Sequence, residues 1–289
     1  VNISPIFGLY PSGNRALEIL LAEVRKRAPL LEVRDDLGIA NQLRPIDASA
    51  EMQEMRRALE DARILIADGH HRYETALEYR RRRRSVDNPD ELSGYDYVMM
   101  TLVAFDDPGL VILPTHRVLR GVTVDALGAF TRGVRDSFEA EEFDTAEVMQ
   151  NALISRGRGH LGVALRDDPV FRILRLKNQQ AMAAALPSAP REVRELDVSV
   201  LHAMIFDRMF ALTPDEIRKG GNIEYTVDAQ RALDSVATGD ADGAFLMNPP
   251  TVEDVERVSA SGAVMPEKST YFYPKLLTGL VMNPLDDTP

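Results

Sequence analysis

The sequence predicts an α/β chain that shades into α+β. Three observations carry that prediction. Helix-period and strand-like segments alternate from the start. The apolar run ILIA at 64–67 leads straight into Asp68-Gly69 and a helical pattern. Two further strand-like runs are then separated only by the turn DDPG.

The elements follow in order. The chain enters a strand-like NISPIFGLY directly at Val1, which leads one to expect a further segment before it. Residues 14–28 carry apolar side chains at helical spacing, with basic residues in the last turns where they complement the helix dipole. A second helix is predicted over 52–62, a short buried strand over 63–67, and a third helix from Arg72 to about Arg82. Residues 95–105 and 110–119 read as strands. Helices follow over 124–138 and 145–155, then a hairpin in HLGVALRDDPVFRILRLK that turns at 167–169. The Ala- and Pro-rich stretch at 178–195 is the best linker candidate. Beyond it come a helix over 196–210, a strand over 223–226, helices over 228–237 and 252–259, and a last strand-like segment over 269–281. The expected organisation is an α/β domain over 1–121 and an α+β region over 122–289.

Composition narrows the function classes. With 289 residues, 45% hydrophobic and 27% charged, the chain suits one large or two modest globular domains. No apolar run approaches the roughly 18 residues of a membrane span, so no membrane partner and a cytoplasmic location are expected. Zero cysteines exclude disulfides, thiolate metal sites and a cysteine nucleophile. A formal charge of −11 argues against a broad nucleic-acid surface, which needs a basic footprint. The arginine run Arg80 to Arg84 is read as a solvated helix end rather than a nucleic-acid patch.

The stretch ILIADGHHRYETA holds two of the five histidines side by side. Asp68-Gly69 supplies turn chemistry, and Tyr73, Ala76 and Leu77 form an i, i+3, i+4 stripe, so a helix begins near His70. Free amides and the positive dipole end then make an anion site, to which Gly69, His70, His71 and Arg72 are assigned as phosphate contacts. The same residues also suit a structural account, with Asp68 capping the helix, a histidine in the core and Arg72 paired to a surface acid.

Together with ILPTHRV and MPEKSTYFYPKLLTGLV, the stretch IADGHHRYETALEYR closely resembles domain-of-unknown-function family 1015, over nearly the whole chain. That family has no assigned activity, and its members normally carry an additional N-terminal region. More distantly, the strand-Asp-Gly-His-x-Arg-helix arrangement resembles the phosphate-gripping motif of the ParB, sulfiredoxin and free-serine-kinase superfamily. That resemblance implies a ParB/sulfiredoxin-like fold for the N-terminal domain, a bound nucleotide, and phosphate contacts at Gly69, His70, His71 and Arg72. Sulfiredoxin's catalytic cysteine has no counterpart here.

Two further clusters complete the reading. In LPTHRVL, His116 and Arg117 are neighbours on a strand, so their side chains point to opposite faces and only one reaches a shared pocket. His116 is taken as a phosphate contact. A metal held by the protein alone is not assigned, because His70 and His71 lack the i, i+4 spacing of two ligands on one helical face. In MPEKSTYFYPK, Lys268, Ser269 and Lys275 are assigned to phosphate, since lysine stands out in a chain with 5 lysines among 34 basic residues. Lys268 is expected to approach the 69–72 turn. The expected function is binding of a phosphorylated small molecule, best a nucleotide accompanied by Mg²⁺. Phosphoryl transfer or hydrolysis through Asp68, His70 and Glu74 would follow. The rivals are a non-catalytic anion sensor and a metal-dependent hydrolase.

Overall fold

The computed structural model describes residues 1–36, 38–87 and 91–285. It is a mixed α/β structure of two compact units. One comprises Val1–Val111 with Pro274–Pro289, and the other Ile112–Tyr273. The division falls ten residues before the 121/122 boundary read from sequence, and the C-terminal segment returns to the first unit. The reason is strand pairing: the segment just after Ile112 belongs to the large sheet described below.

The first unit runs β1 (Ile6–Tyr10), α1 (Arg15–Arg25), β2 (Leu31–Arg34), β3 (Ala40–Leu43), α2 (Ser49–Leu59), β4 (Leu65–Asp68), α3 (His70–Asp87) and β5 (Met100–Ala104). Three strands form a sheet in the order β4-β1-β5, antiparallel between β1 and β4 and parallel between β1 and β5. β2 and β3 make a separate hairpin. All five residues of β1 are buried, as expected of a central strand. Leu17, Leu20 and Val24 form the buried stripe of α1. Gly8 is required where it stands, because a Cβ there would lie 2.7 Å from Met100 Sδ and 2.8 Å from Leu102. The register sets Phe7 opposite Asp68, which fixes where β4 ends and α3 begins.

In the second unit β6 (Val111–Leu113), at whose start the chain leaves the first unit, pairs with β13 (Tyr271–Tyr273). The main sheet has six antiparallel strands in the order β11-β7-β12-β9-β10-β8. These are β7 (His116–Leu119), β8 (Phe138–Phe143), β9 (Leu161–Leu165), β10 (Phe171–Leu176), β11 (Ile223–Thr226) and β12 (Gly243–Met247). Period-two alternation feeds two cores. Leu119, Val163, Leu174 and Phe245 join Phe130 and Val134 of α4 (Val124–Ser137) and the buried helical stretch around Leu201–Phe206. Val118, Ala164, Ile173 and Ala244 join Met149 and Leu153 of α5 (Ala146–Arg156), together with Leu233 and Val236 of the helix Ala229–Ala237. Both faces of the sheet are therefore covered.

The linker expected at 178–195 is folded. It contains short helices at Gln180–Ala185 and Arg191–Arg194, and Met182 is buried in the first of the two cores. Ala181 and Ala185 pack against that core, while Ala183 and Ala184 are exposed. Past Leu196 the chain is helical from Asp197 to Phe210, widening into a π-helix over Leu201–Asp207 before Ala211 ends it in the left-handed conformation.

Candidate anion site at the start of helix α3

β4 delivers Asp68 to the sheet edge, and Gly69 then turns the chain into α3 with φ +93°. This is a backbone conformation that glycine adopts without strain. The first backbone bond of the helix runs from the Tyr73 N–H to the Gly69 carbonyl. The amides of His70, His71 and Arg72 thus precede the ladder, at the positive end of an 18-residue helix with no acid in its first turn. His70 and His71 are exposed in that turn, where the strand-turn-helix reading expects them.

Arg72 has a task that the sequence did not reveal. Its guanidinium donates to Ser4 Oγ at 2.7 Å and to the Pro5 carbonyl, so it ties the helix start to the segment entering β1. It also lies 3.7 Å from Asp68, and a Cβ on Gly69 would sit 2.8 Å from it. Asp68 itself accepts from the Gly69 N–H at 2.9 Å and pairs with Lys275 at 3.2 Å. Glu74 is exposed one turn further on. Beside this cluster runs an open groove whose wall includes Ser4, Ile6, His71, Arg72, Thr75 and Ala76. Chemically, the arrangement offers helix amides, two imidazoles and a lysine to an anion.

The arginine run lies on the same helix, and acids surround it. Arg80 and Arg84 both reach Asp96, Arg81 and Arg82 reach Glu78, and Arg83 reaches Asp87. The hydrogen bond from Arg84, followed by those from Ser93 and Arg80, holds Asp96 well below the usual carboxylate range.

The other residues singled out from sequence belong to the second unit. His116 is 4% exposed, and its Nδ1 accepts from the Met247 N–H at 3.1 Å. Burial, with Arg117 adding to it, pushes its pKa down to about 4, so the ring is neutral at neutral pH. Lys268 is an exposed turn residue with φ +55° whose carbonyl accepts from Arg117. Ser269 is buried. Of the three residues assigned in the late motif, Lys275 alone falls in the first unit. Sequence reasoning passed over Thr115 and gave Arg117 no role; an arginine within a strand that is otherwise buried was the available signal. Among the described residues, no group of three or more His, Asp or Glu side chains is placed to hold a metal, and no helix is long and apolar enough to cross a membrane.

Comparison with known proteins agrees with the family read from the motifs. The family model described as "Protein of unknown function (DUF1015)" matches residues 1–199. No curated protein matches the chain. Among solved structures, a conserved hypothetical protein from Pyrococcus furiosus is similar at 12% identity, covering 96% of each chain with a TM-score of 0.43. A free serine kinase in complex with AMP is similar at 14% identity, over 99% of this chain and 93% of that one, with a TM-score of 0.43. A free serine kinase variant in complex with ADP is similar at 15% identity, over 97% and 88%, also with a TM-score of 0.43. The family match spans more than half of the sequence, and the chain belongs to the DUF1015 family.

Proposed function

We propose that the first unit binds a phosphorylated small molecule, best a nucleotide, with a phosphate seated on the first turn of α3. The observation that carries this reading is the Gly69 turn. It leaves the amides of residues 70–72 ahead of the helical ladder, with two exposed imidazoles and Lys275 in the same unit. A ParB/sulfiredoxin-like phosphate grip is supported by the same strand-turn-helix order. Mg²⁺ would arrive on the phosphates, since Asp68 is already engaged by Gly69, Lys275 and Arg72.

That engagement favours the binding reading over one in which Asp68 is a free base. In the catalytic version, His70 or Glu74 handles the proton, and phosphoryl transfer or hydrolysis follows. In the sensor version, occupancy alone is the output.

The test is calorimetric titration of the chain with ADP and ATP, with and without Mg²⁺, followed by the His70→Ala/His71→Ala double variant. A specific nucleotide at 100 times its Kd should stabilise the protein by about 2.7 kcal/mol, and the double variant should lose at least tenfold in affinity. Absence of binding, or binding that the double variant leaves intact, overturns the reading. Turnover of bound ATP separates the catalytic version from the sensor.

A further inference from the structure

The second unit contains a cavity on whose wall three polar groups lack partners. Its wall includes Thr115, Arg117, Asp197, Asn248, Asp254 and Ser269. Arg117 is 1% exposed, one of the largest fully buried side chains in the protein. Its guanidinium donates to the carbonyls of Thr115 and Lys268 and contacts Met247 Sδ, and it lies over the Tyr225 ring at 5.4 Å. Among the described residues, no carboxylate lies within ion-pair distance of it.

A buried cation without a counter-charge is costly, and burial accordingly pushes Arg117 down to about 10. Its Nε has no acceptor, and the buried Thr115 Oγ1 and Ser269 Oγ have no partner either. Three unsatisfied polar groups therefore line one void. On another part of the wall Asp254 is already neutralised by Arg158 at 2.9 Å, and Asp197 accepts from the Gly159 N–H. The unmet demand is for a negative group at Arg117.

We propose that this cavity is a second binding site, which takes a small oxyanion, the carboxylate or phosphate group of a compact molecule, between Arg117, Thr115 and Ser269. The anion supplies the missing counter-charge and accepts from the two hydroxyls and the guanidinium Nε–H. Its size is set by the void. The cavity volume is about 20 Å³, on a scale where one water needs about 10–15 Å³, so it has room for about one oxygen atom, grips only the tip of a compact oxyanion and excludes a nucleoside. The site is therefore distinct in ligand class from a nucleotide site at the start of α3, and it does not depend on that reading.

The experiment measures thermal stability of the intact chain against inorganic phosphate and, separately, acetate, with chloride at matched ionic strength as reference. The expected result is a saturable rise in Tm with one or both oxyanions beyond that of chloride; the more effective probe identifies the group as phosphate or carboxylate. The Thr115→Val/Ser269→Ala double variant should weaken the response at least tenfold in apparent affinity, and Arg117→Lys, which keeps the charge but loses the planar fork, should weaken it as well. Repeated in the His70→Ala/His71→Ala background, which removes phosphate binding at the start of α3, the response of this cavity should persist. Circular dichroism checks that each variant is folded, and Arg117→Lys decides the matter should the double variant not fold. No response beyond chloride, or a response that follows the histidine pair instead of Thr115, Ser269 and Arg117, overturns the proposal.

Discussion

Lys275 Nζ lies 3.2 Å from Asp68 Oδ2 across 207 positions of sequence. The contact brings the C-terminal segment to the end of β4, where α3 begins. Both side chains are nearly half exposed, so the pair adds little stability. Lys275→Met should change the free energy of unfolding by less than about 1 kcal/mol. It should nevertheless weaken nucleotide binding several-fold if the ammonium faces the phosphates. Denaturant unfolding and titration of the same variant check the two halves of this prediction separately.

Gly69→Ala should be more damaging than its size suggests. An alanine at φ +93° is strained, and its Cβ would meet the Arg72 guanidinium, loosening the bonds to Ser4 and Pro5. A loss of about 1–3 kcal/mol is expected, together with loss of anion binding at the helix start. Urea unfolding with unchanged stability would show that the turn relaxes freely.

Asp96→Asn should cost about 2–3 kcal/mol. The Asp96 side chain is 2% exposed and takes hydrogen bonds from Arg80, Arg84 and the Ser93 N–H. The figure lies just below the usual range for a broken buried pair because both arginines keep contact with water. Arg81→Ala, which removes only an exposed pair with Glu78, should cost less than about 0.5 kcal/mol. Comparing the two variants by denaturant unfolding tests whether the arginine run is structural at Asp96 and decorative elsewhere.

Acid should weaken the second unit through its histidines. Burial pushes His116 and His202 down to about 4, so between about 4 and 6.5 the unfolded chain holds two protons that the folded chain lacks. Asp197, pushed up to about 6 by burial, acts oppositely between 3.8 and about 6, where the folded chain alone holds its proton. From about 4 to 6 these three groups leave the unfolded state one proton ahead. Stability therefore falls by about 1.4 kcal/mol per pH unit on acidification in that window. His202→Gln should bring this slope close to zero, because His116 and Asp197 then cancel. Chemical unfolding at pH 4.5, 5.0 and 5.5 measures it.

The sequence by itself determined the local elements whose signals are short-range. ILIA followed by Asp68-Gly69 and the Tyr73, Ala76, Leu77 stripe specifies a strand, a tight turn and a helix within a dozen residues. The hairpin around Asp167 is equally local. The family, too, was legible in the long motif at 66–80, which lies within the matched residues 1–199, whereas the motif at 265–281 lies beyond them.

What only the tertiary structure decided is long-range. β8 was missed because FEAEEF carries three glutamates, which read as polar until Arg175 is set against Glu139 across an edge pair. The insertion of β12 between β7 and β9 comes from non-local pairing that no window of sequence contains. The stretch at 178–195 looked like a linker because alanine and proline are ambiguous until Met182 is seen in the core. Arg117 shows the same limit most sharply. Its residue type is visible in the sequence, but its burial, its missing carboxylate and the two unpartnered hydroxyls beside the same void arise from segments more than 150 residues apart, brought together by folding.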